Sequence, residues 1–423
     1  PYRPNPFSVE FTFTVGASDD LVVTLPVVHR YEGNIFSGEK RAEVLVSPDF
    51  SVRSFPEFAI IPADTIRTSG VAATATGRTV QPSARAADRE MRVTVVNDTT
   101  GPAETTVTLE VPKGWTALPA SQPVTFTRTD ESQTVRFTLR PAVNTAAGEY
   151  PVKAIVTSGG KHYSRGYQVV EYPHIGRRHF YYEARTTVKV VDVKSTPGLT
   201  VGYIMGVGDE VPAAIEQLGA KVEMISPDQL AWGNLSKYHV IVTGVRAYER
   251  RDDLRANNAR LLEWVKNGGT MIVQYNKFEF NDAQYGPYPA KVSSNRVTDE
   301  ASPVKVLEPE NHVFTTPNRI NTTVWNDWVQ ERGLYFLGDR DQKYKDLVSL
   351  EDNFAYNKGV KTGALVQTTY GKGTWIYTGL NFWRQLPQGT DGAYKLFANL
   401  LSLGKPVSGV TPAISNSVPP ARK

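Results

Sequence analysis

Leu199-Thr200-Val201-Gly202-Tyr203-Ile204-Met205 is an apolar run. It is followed by Glu210 to Leu218, in which Val211, Ala214, Ile215 and Leu218 fall on one helical face, and then by a second apolar run from Lys221 to Ile225. Short apolar strands alternating with amphipathic helices indicate a parallel sheet covered on both faces. The pattern continues. Tyr238 to Thr243 reads as a third strand, and Arg251 to Asn267 as a helix with Leu254, Leu261, Leu262 and Val265 at helical spacing, closed by Gly268-Gly269. Thr270 to Gln274 reads as a fourth strand. Later, Gly363 to Gln367 and Thr374 to Thr378 predict a hairpin around Tyr370-Gly371-Lys372-Gly373, with Ala393 to Leu403 as a closing helix.

Before residue 197 the period is different. Phe11-Thr12-Phe13-Thr14-Val15, Leu21 to Leu25, Val44-Leu45-Val46, Met91 to Val96, Thr105 to Val111, Thr134 to Leu139 and Val152 to Val156 alternate or run apolar over a few residues, with Pro, Gly, Asn and Asp between them. That is the pattern of antiparallel sandwiches. Ser69 to Arg89 is rich in Ala, Thr, Ser and Arg and almost empty of large apolar residues, so it reads as a linker that limited proteolysis should cut first. The expected organisation is multidomain: a β-sandwich over 1–68, a linker over 69–89, a second all-β sandwich over 90–196, an α/β domain over 197–407 and a flexible tail over 408–423.

Composition limits the chemistry. The 423 residues carry a formal net charge of only +4, which requires neither a nucleic-acid nor a membrane partner. With no cysteine, disulfides, thiolate metal sites and a cysteine nucleophile are excluded. No apolar run approaches the roughly 20 residues of a membrane span. The opening Pro1-Tyr2-Arg3-Pro4 suggests a fragment or processed product. Of the six histidines only His174 and His179 lie close together, and zinc needs three or four converging ligands, so no metal site is expected in this chain.

In the second β region, Val111-Pro112-Lys113-Gly114-Trp115 and Ala147-Gly148-Glu149-Tyr150 resemble turns of the sandwich domains found beside carbohydrate-binding modules in secreted glycosidases. The resemblance offers Trp115 as a sugar-stacking residue. The plainer reading is a core aromatic of a small sandwich.

Ligands of open parallel sheets sit beyond the carboxyl ends of the strands. The first strand ends in Gly206-Val207-Gly208-Asp209, which lacks the third glycine of a dinucleotide fingerprint and puts a carboxylate, suited to capping a helix, where phosphate would lie. The third ends in Gly244-Val245-Arg246-Ala247-Tyr248 and the fourth in Gln274-Tyr275-Asn276. The domain resembles a flavodoxin-like, class I glutamine amidotransferase-like fold. That family has a nucleophilic cysteine in a glycine-flanked turn after the fourth strand and a late His-x-Glu. Here those places hold Gln274-Tyr275-Asn276 and Gly379-Leu380-Asn381-Phe382, so a triad of that kind is not expected.

Gly202 to Asp209, Gly244 to Tyr248, Trp328-Val329-Gln330-Glu331-Arg332-Gly333-Leu334-Tyr335 and Thr378-Gly379-Leu380-Asn381-Phe382-Trp383-Arg384-Gln385-Leu386-Pro387 are similar to the C-terminal region of large bacterial LmbE-like (PIG-L) deacetylases and to ThuA-like domains. Tyr31, Gly38-Glu39 and Tyr172-Pro173-His174-Ile175 fit the β modules of the same proteins. The resemblance implies a periplasmic or extracellular protein and an N-terminal catalytic domain that carries zinc on a His-Pro-Asp-Asp motif. No such motif occurs here, and Asp252-Asp253 reads as the start of a helix. The implied role is a non-catalytic accessory region, partnered by its own catalytic domain and binding a saccharide.

The candidate ligand residues are Asp209, Arg246, Tyr248, Gln274, Asn276, Asn381 and Arg384, around one crevice. Arg246 is either a two-pronged ligand for sugar or carboxylate, or a structural bridge to Asp209. Trp115, Trp325 and Trp328 form a secondary set, the last two within a long insert, Lys277 to Lys361, that supplies a lid or simply packs on the sheet. Two other roles stay open: an enzyme of its own using Arg246, Tyr248, Gln274 and Asn381, or a structural oligomerisation module.

Overall fold

The protein is seen as a computed structural model that describes residues 7–14, 16, 20–32, 39–44, 46–69, 87–172 and 174–405. Most of the expected linker, the tail, Gly38 and Pro173 lie outside these residues. The chain is mostly β, with several sheets, and divides into two compact units. One comprises Pro1–Ala59, Val80–Val143 and Glu149–Val188; the other comprises Ile60–Thr79, Asn144–Gly148 and Lys189–Lys423.

In the first unit Met91, Val93 and Val95 are buried while Arg92 and Thr94 are half-buried, the alternation of a strand with one face on a core. This strand, Arg89–Asn97, pairs antiparallel with Ser132–Arg140 on one side and Phe50–Phe55 on the other. A second sheet sets Ala103–Glu110 between Ser121–Phe126 and Gly148–Ser158. The Phe50 and Phe126 rings, one from each sheet, lie 6.0 Å apart in the core. These pairings correct the expected division. Phe50–Phe55 lies before the presumed linker and Arg89–Asn97 after it, yet they are neighbours in one sheet. Residues 1–68 therefore form no sandwich of their own. Of their remaining strands, Phe58–Pro62 lies at the end of the second sheet and the other four make two separate hairpins, Ser8–Phe13 with Leu21–Pro26 and Val28–Glu32 with Glu39–Glu43. Period-2 alternation shows that a strand buries one face, but it does not say which strand lies beside it.

The second unit is built on a seven-stranded sheet in the order Lys221–Met224, Thr200–Ile204, Val240–Thr243, Thr270–Gln274, Gly373–Thr378, Leu365–Tyr370, Lys345–Asp346. The first five strands are parallel; Leu365–Tyr370 runs against them, and Lys345–Asp346 pairs antiparallel with it. Successive residues feed opposite layers: Val240, Val242, Ile272 and Ile376 join one apolar cluster, whereas Ile241, Met271, Val273, Trp375 and Tyr377 join the other. Helices Val211–Gln217 and Asp391–Ser402 cover the first layer, and Asp252–Ala256 and Asn258–Lys266 the second. The single helix expected over 251–267 is thus two, broken at Asn257, whose side-chain Nδ2 donates back to the Asp253 carbonyl at 2.8 Å. Within the insert Trp325 and Trp328 are buried 5.4 Å apart, with Trp328 beside Phe382. Both serve packing, which removes them from the candidate ligand residues.

Candidate functional site

The strand ends meet at one edge of the parallel sheet, but most of the expected polar side chains there are structural. Asp209 accepts three hydrogen bonds: from the Tyr203 hydroxyl at 2.6 Å, from the Val211 N–H at 3.1 Å and from the Val245 N–H at 3.2 Å. It serves the start of helix Val211–Gln217 from one position before the N-cap, Glu210, whose own side chain caps nothing. The two glycine-bearing loops also approach closely. A Cβ on Gly206 would lie 1.9 Å from the Val245 carbonyl oxygen, and one on Gly244 would lie 2.9 Å from Asp209 Oδ2. Gly206 and Gly244 are thus required by backbone contact, with no phosphate cradle involved. Asp209 fills the position where the strand order reverses and where a ligand would ordinarily bind.

Arg246 does not bridge to Asp209. Its guanidinium forms a two-pronged pair with Glu249, and this bonding raises its pKa. Its own backbone is left-handed, with φ 56°, and its N–H donates to the Tyr275 carbonyl at 2.9 Å. Tyr248 leaves the crevice altogether. It is buried against Phe280 and Tyr285, its hydroxyl donates to Asn258 Oδ1 at 2.7 Å, and burial pushes its pKa far upward. Asn276 is turned inward as well, accepting from the Tyr248 N–H at 3.0 Å and donating to the Gln274 carbonyl at 2.9 Å. Tyr248 and Asn276 are therefore corrected to structural roles.

Gln274 and Asn381 differ from these. Gln274 Nε2 donates to the Tyr203 hydroxyl at 2.9 Å, but its Oε1 is buried without a partner. Asn381 is 0% exposed; its Nδ2 donates to Glu331 Oε1 at 2.8 Å, while its Oδ1 is likewise unpartnered. Buried polar atoms left unpaired are rare enough to need a reason. Arg384 lies 3.5 Å from the same Glu331 oxygen, bonds Gln330 Oε1, and stacks its guanidinium 4.2 Å above the Trp383 ring.

Tyr335, one of the insert's aromatics, and two residues outside the expected ligand set, Tyr275 and Trp383, complete the cluster. The Tyr275 and Tyr335 rings stack at 5.8 Å and 10° to each other, and the Trp383 ring is 6.4 Å from Tyr275. Burial raises the Tyr275 pKa, opposed by the charges of Arg246 and Arg384. Trp383 packs against both apolar layers of the sheet, and its indole N–H is buried with no acceptor. Three of the five non-glycine residues with positive φ among the described residues, Arg246, Gln330 and Tyr335, belong to this neighbourhood. Held backbone strain of this kind gathers at functional sites. Glu331, Tyr335 and Trp383 are far from Tyr275 in sequence, so no local spacing announces them.

In the first unit Trp115 is buried with its ring 5.2 Å from Tyr150, a packing aromatic and not an exposed platform. His179 stacks on Tyr167 at 4.4 Å, and burial followed by the Arg177 charge lowers its pKa. No group of three or more metal-ligating side chains converges among the described residues, and no helix among them is long and apolar enough to cross a membrane.

Comparison with known proteins bears on the first unit most directly. Residues 72–158 match the family described as the NPCBM-associated, NEW3 domain of α-galactosidase, a stretch that includes the Pro112–Trp115 turn and Tyr150. Among curated proteins none matches the chain. Similar solved structures include a cytoplasmic protein of Salmonella typhimurium LT2, at 13% identity and TM-score 0.31, covering 48% of this chain and 98% of that one. The β-galactosidase of Rahnella sp. R3 is similar at 15% identity and TM-score 0.29, covering 49% of this chain and 32% of the enzyme. The β-galactosidase of Bacillus circulans sp. alkalophilus is similar at 12% identity and TM-score 0.29, covering 50% and 31% respectively. The chain is thus a β-rich, multidomain protein with a segment similar to a carbohydrate-associated NEW3 domain.

Proposed function

We propose that this chain is a non-catalytic accessory region of a carbohydrate-active protein of the LmbE/PIG-L deacetylase kind, periplasmic or extracellular, in which the β unit spaces and the α/β unit binds. The observation that carries the reading is the state of the fourth strand's end. Where an amidotransferase would expose a nucleophile, Asn276 is spent on the Tyr248 N–H and the Gln274 carbonyl, and Tyr275 is packed between Tyr335 and Trp383. A nucleophile needs a base within hydrogen-bond reach, and no such pair involves these residues. Support for the flavodoxin-like, amidotransferase-like assignment comes from the parallel strand order with helices on both faces. The NEW3 match supports a setting beside carbohydrate chemistry. Zinc-dependent deacetylation would belong to a catalytic domain whose motif is not in this sequence.

The test is direct. Purified protein incubated with glutamine, and separately with N-acetylglucosamine with and without added zinc, should release neither ammonia nor acetate above the rate in buffer. Metal-dependent acetate release, or ammonia release at any metal concentration, would overturn the non-catalytic reading.

A further inference from the structure

Two buried polar atoms within one short stretch of the α/β unit have no hydrogen-bond partner, Asn381 Oδ1 and Trp383 Nε1, and next to them Arg384 Nε has only the 3.5 Å ion pair with Glu331. All three residues are tied to one place, Asn381 and Arg384 through Glu331, and Trp383 through the Arg384 guanidinium above it and the Tyr275 ring beside it. We infer that this place is a binding site for a neutral pyranose ring, bounded by Tyr275, Tyr335 and Trp383 and read by Asn381, Arg384 and Glu331.

The chemistry of the unpaired atoms selects the ligand. Asn381 Oδ1 accepts only, and Trp383 Nε1 donates only. A simple anion such as sulfate offers acceptors alone and would leave Asn381 Oδ1 unpaired, and any carboxylate, a sugar acid's included, would face the Glu331 carboxylate. A hydroxyl donates and accepts, so neighbouring hydroxyls of one sugar ring satisfy both atoms. Charge points the same way. Arg246 is paired with Glu249 and Arg384 with Glu331, and the Arg332 guanidinium is spent on the Ser302 and Trp325 carbonyls, so little positive charge is left free to hold an acid. The Tyr335 and Trp383 rings, both half-buried, supply apolar surface of the kind that the C–H face of a pyranose covers, with the buried Tyr275 ring behind them. Left-handed Gln330 and Tyr335 lie on either side of Glu331, fixing the loop that carries it before any ligand arrives.

The inference rests on the accessory reading above but can fail separately from it. Calorimetry and indole fluorescence on the full chain would use methyl glycosides of glucose, galactose and mannose, with glucuronic acid as the anionic control. At least one neutral glycoside should bind and glucuronic acid should not. Trp383→Phe keeps the ring and removes the N–H, so it should weaken that binding about tenfold, the effect of leaving one hydroxyl unpaired. Trp115→Phe, in the other unit, should leave it unchanged. Several results would overturn the site: no neutral glycoside binding up to about 50 mM, stronger binding of glucuronic acid, or affinity insensitive to Trp383→Phe. Unchanged thermal unfolding of Trp383→Phe separates loss of a contact from loss of the fold. Release of product during any titration would instead count against the accessory reading.

Discussion

Replacing Asp209 by alanine withdraws one acceptor from three donors: the Tyr203 hydroxyl and the Val211 and Val245 N–H groups. Tyr203 is 0% exposed, so water does not replace the lost carboxylate. A hydrogen bond to an ionised group contributes about 1.5–3 kcal/mol and an ordinary one about 1 kcal/mol. Because Asp209 is half-buried, the two backbone bonds are taken at the low end, and Asp209→Ala should cost roughly 3–4 kcal/mol. Tyr203→Phe removes the same hydroxyl bond and also one of the two acceptors of Gln274 Nε2, which keeps the Thr243 carbonyl at 3.3 Å, at a cost of roughly 2–3 kcal/mol. The double variant should fall short of the sum of the two by about 1–2 kcal/mol, since the shared bond is lost only once. Urea unfolding followed by tryptophan fluorescence in a Trp115→Phe background reads this unit cleanly, because the other tryptophans all lie within it. If the single costs simply add, or if Asp209→Ala costs under about 1 kcal/mol, Asp209 does not hold the two loops together as described.

Other outcomes follow from the same packing. Arg332 is buried with no ion pair among the described residues, donating to the Ser302 carbonyl at 2.9 Å and to the Trp325 carbonyl, and burial, opposed by the charges of Asp299 and Glu300, lowers its pKa to about 10. Arg332→Ala should lower the stability of the α/β unit by roughly 2–4 kcal/mol in urea, and an unchanged midpoint would refute its anchoring role. Burial raises the pKa of Tyr203, Tyr248, Tyr344 and Tyr377, so the folded state favours the neutral phenols. Their contribution is complete below the ordinary tyrosine value of about 10 and is lost as the pH rises beyond it toward the folded values. The urea midpoint should therefore be flat near neutral pH and fall in strong alkali; native-state ionisation of these tyrosines at their ordinary pH, seen at 295 nm, would contradict the burial. Trp115→Phe should destabilise the β unit by about 1–3 kcal/mol in its own unfolding transition, as a packed aromatic does.

The α/β core was legible because each parallel strand is apolar along its length and each covering helix repeats its apolar residues every three or four positions. The edge carrying the site was legible for the same reason. What its polar residues do there was less so. Tyr248 faces the core because the short helix Ala247–Arg250 starts directly after the strand and turns its ring onto Phe280 and Tyr285. The Arg246 partner was missed: the expected bridge ran to Asp209, whereas Glu249 lies three residues on and that spacing places the two side chains together once a helix forms. Glu331, Tyr335 and Trp383 come from distant segments that only the fold assembles. In the β unit the strands were recognisable, but the pairing of Phe50–Phe55 with Arg89–Asn97 was not, because alternation carries no information about partners.

That pairing governs where the gene can be divided. Phe50–Phe55 forms an edge of its four-stranded sheet and shields Arg89–Asn97. A polypeptide started at residue 90 would keep most of the NEW3-like sequence yet present a raw strand, whose unpaired N–H and C=O groups invite association with other copies. A protease nick between residues 70 and 86 would be different, since both products would retain their places in the sheet. Such a nicked protein would run as two bands in denaturing gels and as one species by native sizing. Expression boundaries for the β unit belong before Phe50, and a shorter piece that looks complete by family match should be the one that precipitates.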